Sequence, residues 1–265
     1  MSDFDQRFGG IERLYGTPAA RLFRKSRVAI VGLGGVGSWT AEALARSGVG
    51  HITLMDLDDV CITNVNRQIH AHDGTFGKLK IDALEGRLKL INPEIVIHKI
   101  SRFFSEATQE ELFSMKPDCV VDAIDSGLHK AQLVAACRDR KVPVVVCGGA
   151  GGKIDPTQIS VCDLAHTRDD ALLAQLRRTL RNRFGFPSAG SKKKAKKFYI
   201  SAVSSPEALR YIQEDGTISS EKPENSGPEK LSCAGGLGSV THVTGCFGFI
   251  AAGEALRLLR GQGEA

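Results

Sequence analysis

The stretch that most constrains this chain is residues 28–58, VAIVGLGGVGSWTAEALARSGVGHITLMDLD. An apolar run, 28–31, breaks into Gly32-Leu33-Gly34-Gly35-Val36-Gly37. A helix-patterned segment follows, and a second apolar run, 52–55, ends on Asp56. Strand, glycine turn, helix, strand and acid in that order predict the opening βαβ unit of a doubly wound sheet. Gly32 permits the tight turn, Gly34 lets a phosphate approach the backbone, and Gly37 lets the helix pack closely on the strand. The helix N-terminus behind Gly37 offers free N–H groups and the positive end of its dipole to an anion. Asp56 stands where a carboxylate can accept both hydroxyls of a ribose. A glycine-rich turn alone need not hold a ligand. Here strand, helix and acid all fall where a nucleotide needs them. Which nucleotide stays open at this point, because the same signature serves NAD.

A chain of 265 residues can bury a full core and fits one domain with extensions. It is 42% hydrophobic and 25% charged, as soluble globular proteins are. A net charge of +5 is mild and by itself weak support for a nucleic-acid partner. Cysteines such as Cys119 and Cys147 sit in apolar runs and none forms a Cys-x-x-Cys pair. That pattern predicts buried thiols in a reducing, cytoplasmic setting. The N-terminus is polar and has no signal-peptide core. Residues 233–252 carry no charge apart from His242, but Gly, Ser and Thr keep them too polar for a membrane span, so a buried helix is expected.

In chain order, residues 7–25 predict a helical lead-in with a turn at Gly16-Thr17-Pro18. Residues 59–80 form a long polar loop carrying Asn64, Asn66, Arg67, His70 and His72, well placed after a strand tip to line a site. Helices are expected at 81–91, 106–115 and 130–138, with strands at 95–100, 119–124 and 142–147. The last two strands are continuous apolar runs ending at Asp125-Ser126 and at Gly148-Gly149. Strands alternating with helices mean an α/β, Rossmann-like, mostly parallel sheet with helices on both faces. Its ligands sit at the carboxyl ends of the strands. Beyond 153 the pattern changes to a strand at 159–162, an Arg-rich helix at 171–184, a lysine-dense loop at 188–197 and a strand at 198–203. Residues 213–230 read as polar loop, and 240–260 as a closing apolar helix.

These motifs together carry a resemblance. VAIVGLGGVGS, LMDLDDVCITNVNRQI, GKLK and VVDAID resemble the adenylating enzymes related to ubiquitin activation, a family that includes the molybdopterin and thiamine sulfur-carrier activators. RFGGIERLYG resembles the N-terminal arginine motif of that family, and the closing helix resembles its last one. The resemblance implies a single adenylating domain: lead-in 1–26, nucleotide core 27–152, substrate-side extension 153–239 and closing helix 240–260. It implies that Gly32, Gly34, Gly35 and Gly37 cradle the phosphates of ATP and that Asp56 holds the ribose, with Asp58, Gln68 and Ser126 beside them. Asn64 and Arg67 contact phosphates, Lys80 reaches the α-phosphate region, and Asp125 holds Mg²⁺. Such residue types suit acyl adenylation, whose developing negative charge on the phosphates is stabilised by Arg, Lys and Mg²⁺. The commoner fates of such residues are plainer. Arg67 and Lys80 would be surface charges, and Asp125 a helix cap.

Departures from the family pattern matter. The paired cysteines that bind zinc in the sulfur-carrier activators are absent, so no structural zinc is expected. Gly10 replaces a frequent second arginine, leaving Arg7 and Arg13 as the arginines that would reach a neighbouring subunit's ATP in a homodimer. RQIHA, GGAGGKIDPTQI, SSPEAL and SCAGGLGSVT resemble one branch of the family, which dehydrates threonylcarbamoyladenosine in tRNA. The branch implies a tRNA substrate, possible binding of a monovalent cation and a sulfur-relay partner. Cys233, in a glycine-rich turn, is either a nucleophile or sulfur acceptor, or simply a small residue in a tight turn. Lys192, Lys193, Lys194, Lys196 and Lys197, with Arg177 and Arg181, would neutralise RNA phosphates, although a run of charge is more often a solvated face. Phe198 directly follows this run, and base stacking on it gains little support. His70 and His72 would serve in acid–base steps, or hydrogen-bond within their loop. Competing readings are a sulfur-carrier activator, a non-catalytic nucleotide-binding module and an NAD dehydrogenase.

Overall fold

The computed structural model describes residues 2–188, 196–223 and 237–263. Two helices lead in, α1 (Asp3–Tyr15) and α2 (Thr17–Lys25), with Gly16 bending between them at a φ of 85°. Ser2 and Asp5 cap α1 reciprocally, each side chain accepting the other's backbone N–H. The alternating core follows: β1 (Arg27–Val31), α3 (Gly37–Arg46), β2 (His51–Met55), α4 (Lys80–Ile91), β3 (Val96–Ile100), α5 (Gln109–Ser114), β4 (Cys119–Asp122), α6 (Gly127–Asp139) and β5 (Val144–Cys147). The second half adds β6 (Ser160–Asp163), α7 (Ala171–Phe184), β7 (Ser201–Ser204), a small hairpin of β8 (Tyr211–Ile212) and β9 (Ile218–Ser219), and α8 (Thr241–Gly263).

Seven strands form one sheet in the order β3-β2-β1-β4-β5-β7-β6, parallel except where β6 runs against β7 at the edge. The central strands are buried on both faces, as continuous apolar runs require. Val28 and Ile30 face the layer of α2, α3, α4 and α8, while Ala29 and Val31 face α5, α6 and α7. The long α8 lies close on α3. A Cβ on Gly248 would stand 2.7 Å from both the Val36 carbonyl oxygen and the Trp39 Cβ. The α/β, mostly parallel architecture expected from the sequence is the one observed. β2 leaves β1 on one side and β4 lies on the other, so the chain direction switches there and a crevice opens beyond the strand ends.

Some boundaries differ, each for a local reason. The strand expected over 119–124 stops at Asp122, because the Lys130 ammonium takes the carbonyls of Asp122 (3.2 Å) and Ile124 (3.0 Å). The strand expected from 198 starts at Ser201, because the Asp163 carboxylate takes the N–H groups of Phe198 and Tyr199 instead. The helix expected at 106–115 shortens to α5. β9 falls within the 213–230 stretch expected as loop, and β8 in residues given no element; both strands are too short to show a period. Among the described residues no helix is long and apolar enough to cross a membrane.

Candidate active site

Each glycine of the turn has its own task. Gly32 sits at a φ of 88°, and a Cβ there would lie 2.7 Å from the Ala123 carbonyl oxygen. A Cβ on Gly37 would come to 1.8 Å from the Gly32 carbonyl oxygen, so only glycine lets α3 start this close to β1. In front of Gly34 there is open space, and Gly35 lies against Thr244 of α8. No side chain caps the start of α3. The Ser38 N–H returns to the Gly34 carbonyl at 3.1 Å, and the positive end of the helix dipole faces the turn.

That open space is a cavity of about 470 Å³. Gly32, Gly34, Gly35 and Val36 line one wall, and Asp56, Asp58, Asn64, Arg67, Gln68 and Lys80 a second. Asp125, Ser126 and His129 border it at the start of α6. Gly148–Gly151 and Leu172 close the far side, and Phe103 and Phe104 line the end near β3. Most residues expected at a nucleotide site are thus brought together, although they come from four separate loops.

The hydrogen bonds show how each is held. Asp56 is buried. Its carboxylate accepts the N–H of Leu33 at 2.6 Å and of Asp58 at 2.8 Å, tying the glycine turn to the tip of β2. Burial pushes its carboxyl above the usual carboxylate range, opposed by Lys80 and these two bonds. Lys80 opens α4 with a buried side chain, and its ammonium lies 2.8 Å from the half-exposed Asp58 carboxylate. Asn64 accepts the Cys61 N–H at 3.0 Å and so closes its own short turn. Arg67 donates to the Thr63 carbonyl at 2.8 Å and the Asn66 side chain at 3.0 Å, while its own carbonyl accepts the Trp39 indole N–H at 3.0 Å. Gln68 is buried, and its Oε1 has no partner. An unmatched acceptor of this kind beside a cavity is a costly group that a ligand can satisfy. Asp125 is exposed at the rim and makes no hydrogen bond or ion pair among the described residues. Ser126, not Asp125, holds the cap position of α6, and its side chain makes no capping bond.

Several structural features carry no periodic signal in the sequence. Asp122 and Lys130 are both fully buried and pair at 3.0 Å. This clamp aims the loop 123–125 into the cavity. Asp170 caps α7 by accepting the Leu173 N–H, and its second oxygen accepts the Gly149 N–H at 2.9 Å. Glu207 accepts the N–H groups of Ile154 and Asp155. Lys153 is buried between them, donating to the Ser205 carbonyl at 2.7 Å. The glycine loop after β5 is therefore held by two acids distant in sequence. Phe103, Phe104, His129 and Leu172 line the cavity and stand in no motif. A bulky pair after a strand end was the only signal available for Phe103 and Phe104.

Other expected residues lie elsewhere. His70 is fully buried away from the cavity, and burial pushes its imidazole down to about 4, so it sits neutral in the core and is no acid–base group of the site. His72 is exposed and contacts the Asp73 carbonyl. Cys147 lines the cavity, but burial pushes its thiol up to about 12, which rules out a thiolate there. Arg7 and Arg13 are exposed on α1 and line no part of their own chain's cavity. Arg177 is half-buried and donates to the Thr167 hydroxyl, and Arg181 lies against Phe198. Lys196 and Lys197 are exposed. Cys233, Lys192, Lys193 and Lys194 lie outside the described residues. Among the described residues no three His, Cys, Asp or Glu side chains cluster as a metal site.

The cavity thus sets an uncapped helix start, two cations and a free carboxylate around a space of nucleotide size. Comparison with known proteins agrees. The chain is 48% identical over 252 residues to the tRNA threonylcarbamoyladenosine dehydratase of Escherichia coli, across 95% of this chain and 92% of the relative. A crystal structure of the E. coli tRNA N6-threonylcarbamoyladenosine dehydratase in complex with ATP superposes with a TM-score of 0.85 at 42% identity, covering 99% of this chain and 98% of that one. The corresponding complex with AMP gives a TM-score of 0.86 at 44% identity over the same shares. The ThiF family description matches residues 11–265, and this chain belongs to the ThiF family.

Proposed function

We propose that this chain uses ATP to adenylate the threonine carboxylate of threonylcarbamoyladenosine in tRNA and so drives its cyclisation with net loss of water. The carrying observation is the cavity itself: Gly34, Arg67, Lys80 and Asp125 converge there from separate loops, in a chain similar over nearly its whole length to dehydratases of that name. The phosphates lie along Gly32–Gly37 and the start of α3, with the ribose toward Asp56 and the base toward Phe103 and Phe104. Because the Asp56 carboxylate already accepts two N–H groups, it meets the ribose through its remaining lone pairs.

A carboxylate oxygen of the substrate attacks the α-phosphorus, forming a P–O bond as pyrophosphate leaves. Arg67 and Lys80 stabilise the charge that grows on the phosphates. Lys80 is aimed by Asp58, and Arg67 by the Thr63 carbonyl. Asp125 fits a magnesium ion: it is unpaired, at the rim, and Mg²⁺ commonly takes one or two carboxylates together with substrate phosphates. When bound, the ion would neutralise phosphate charge. The carbamoyl group of the same nucleoside then attacks the acyl carbon. A new ring bond forms, AMP leaves with the acyl oxygen, and a proton is lost. Both reacting groups belong to one molecule, so high effective molarity drives closure without a carrier thiol. We infer a homodimer in which α1 of a second copy supplies Arg7 or Arg13, since neither lines the cavity of its own chain.

The test is incubation with ATP, Mg²⁺ and tRNA bearing threonylcarbamoyladenosine, followed by mass analysis of the nucleosides. Loss of one water with release of AMP is expected. Unchanged mass with folded protein and that substrate overturns the reading. Arg67→Ala and Asp125→Ala are expected to abolish AMP release with unchanged thermal stability; full activity in both would sink the site assignment.

A further inference from the structure

Tyr199 is an unfavourable residue where it stands. Its φ of 59° lies in the left-handed region, where a side chain with a Cβ is strained and Gly or Asn is cheap. The surroundings explain the kink but not the tyrosine. Phe198 and Ile200 on either side are buried, and the Asp163 carboxylate accepts the N–H of Phe198 at 3.0 Å and of Tyr199 at 2.7 Å. The chain must turn here to start β7 whatever side chain occupies 199. Yet the tyrosine is 89% exposed and has no ring or side-chain partner among the described residues.

Its base is rigid and its neighbours are cationic. Phe198 packs edge-on against Phe186 with centroids 5.0 Å apart, and the Arg181 guanidinium lies 5.3 Å from the Phe198 ring. Lys196 and Lys197 precede it and are exposed. Lys141 leads into β5 and Lys116 into β4, both exposed. Because β4, β5 and β7 pair in parallel, these lysines and Tyr199 share one edge of the sheet. None of the four lysines has a carboxylate partner among the described residues. The acids on this edge are occupied: Asp139 by Arg138, Glu110 by Arg140, Asp118 by the Arg27 N–H, and Asp163 as above.

The geometry points to Tyr199 as a stacking platform for an unpaired base of the tRNA, with Lys196, Lys197, Lys141 and Lys116 holding the phosphates on either side. An exposed aromatic ring among lysines suits RNA, because every base offers a face to stack and every nucleotide a phosphate to neutralise. The edge is the one remote from the cavity. α7 runs from Leu172 at the cavity to this edge, on the order of 20 Å at the usual helical rise. The stacked base is therefore not the reacting one. This inference rests on the proposed tRNA substrate and adds a second contact to it.

The experiment measures binding of fluorescently labelled tRNA bearing threonylcarbamoyladenosine across a salt series, together with thermal melting. Tyr199→Asn is expected to raise Tm by about 2 °C or more, since Asn accepts the left-handed backbone. It is expected to weaken Kd about five-fold or more without changing the salt slope, because stacking carries no counterion release. Tyr199→Phe and Tyr199→Trp should retain wild-type affinity. Lys197→Ala should reduce the salt slope by about one. Unchanged affinity in Tyr199→Asn overturns the platform, as does equal loss in Tyr199→Phe or a fall in Tm, which would make the tyrosine structural. Dehydration of the same tRNA by the wild-type chain is scored separately. If that occurs while Tyr199→Asn binds normally, only the platform fails; if the wild-type chain neither binds nor dehydrates tRNA, the functional reading falls and takes the platform with it.

Discussion

Gly34 and Gly37 stand three positions apart in one glycine turn and do different things. Gly37→Ala forces a methyl to 1.8 Å from a backbone carbonyl, so α3 must shift and the fold is expected to lose several degrees of Tm. Gly34→Ala places the same methyl in open cavity. Its Tm without nucleotide should match wild type while ATP-dependent AMP release falls at least about ten-fold, since the methyl occupies the phosphate approach. Equal loss of Tm in both variants would mean that the two glycines are simply structural. His70 gives a second residue-scale expectation. Its imidazole is held neutral down to about 4 in the folded chain, against an ordinary value of 6.5. The unfolded chain therefore binds the extra proton first as pH falls. Stability is full above pH 6.5 and is lost progressively toward pH 4, by up to about 3 kcal/mol. Denaturant melts of His70→Leu should lack this part of the acid loss, and an identical pH dependence would refute it.

At the scale of elements, the Asp122–Lys130 pair joins the end of β4 to α6 and shapes the loop that presents Asp125. Lys130→Met leaves the fully buried Asp122 carboxylate without its cationic partner and removes a donor from the Asp122 and Ile124 carbonyls. The expected cost is about 3–5 kcal/mol, read as a Tm drop on the order of 10 °C. Asp122→Leu combined with Lys130→Met should recover much of it, because removing both charges removes the unmatched group. Asp125→Ala, three residues on and exposed, should change stability by less than about 0.5 kcal/mol. The contrast separates the acid that builds the loop from the acid exposed at the cavity rim. In the sequence the two look alike: VVDAID offers both, and only burial distinguishes them.

On the scale of the whole molecule, the cavity is assembled from the turn after β1, the loop before α4, the start of α6 and the loop after β5. A ligand touching all four ties the two halves of the sheet together. ATP at 100 times its Kd should therefore stabilise the protein by about 2.7 kcal/mol, with a rise in Tm that grows with nucleotide concentration. Absence of any shift at saturating ATP and Mg²⁺ would contradict the nucleotide site. Much of this architecture is legible in the chain itself. Residues 28–58, the apolar runs of β4 and β5 and the helix over 171–184 announce a parallel α/β sheet, because period and glycine placement are local properties. Asp56 is readable from its place at the end of the second strand, whereas Arg67, Lys80 and Asp125 are named through the resemblance of their motifs to the adenylating family. The clamp of Asp122 on Lys130, the hold of Asp170 on Gly149, the burial of His70 and the exposure of Tyr199 could not. Each depends on what packs against a residue from a distant part of the chain, and hydrophobic period says nothing about a single polar side chain. The sequence by itself thus determined the sheet and the glycine turn at its switch point. Only the tertiary structure decided which carboxylates are spent inside the fold and which remain free at its surface.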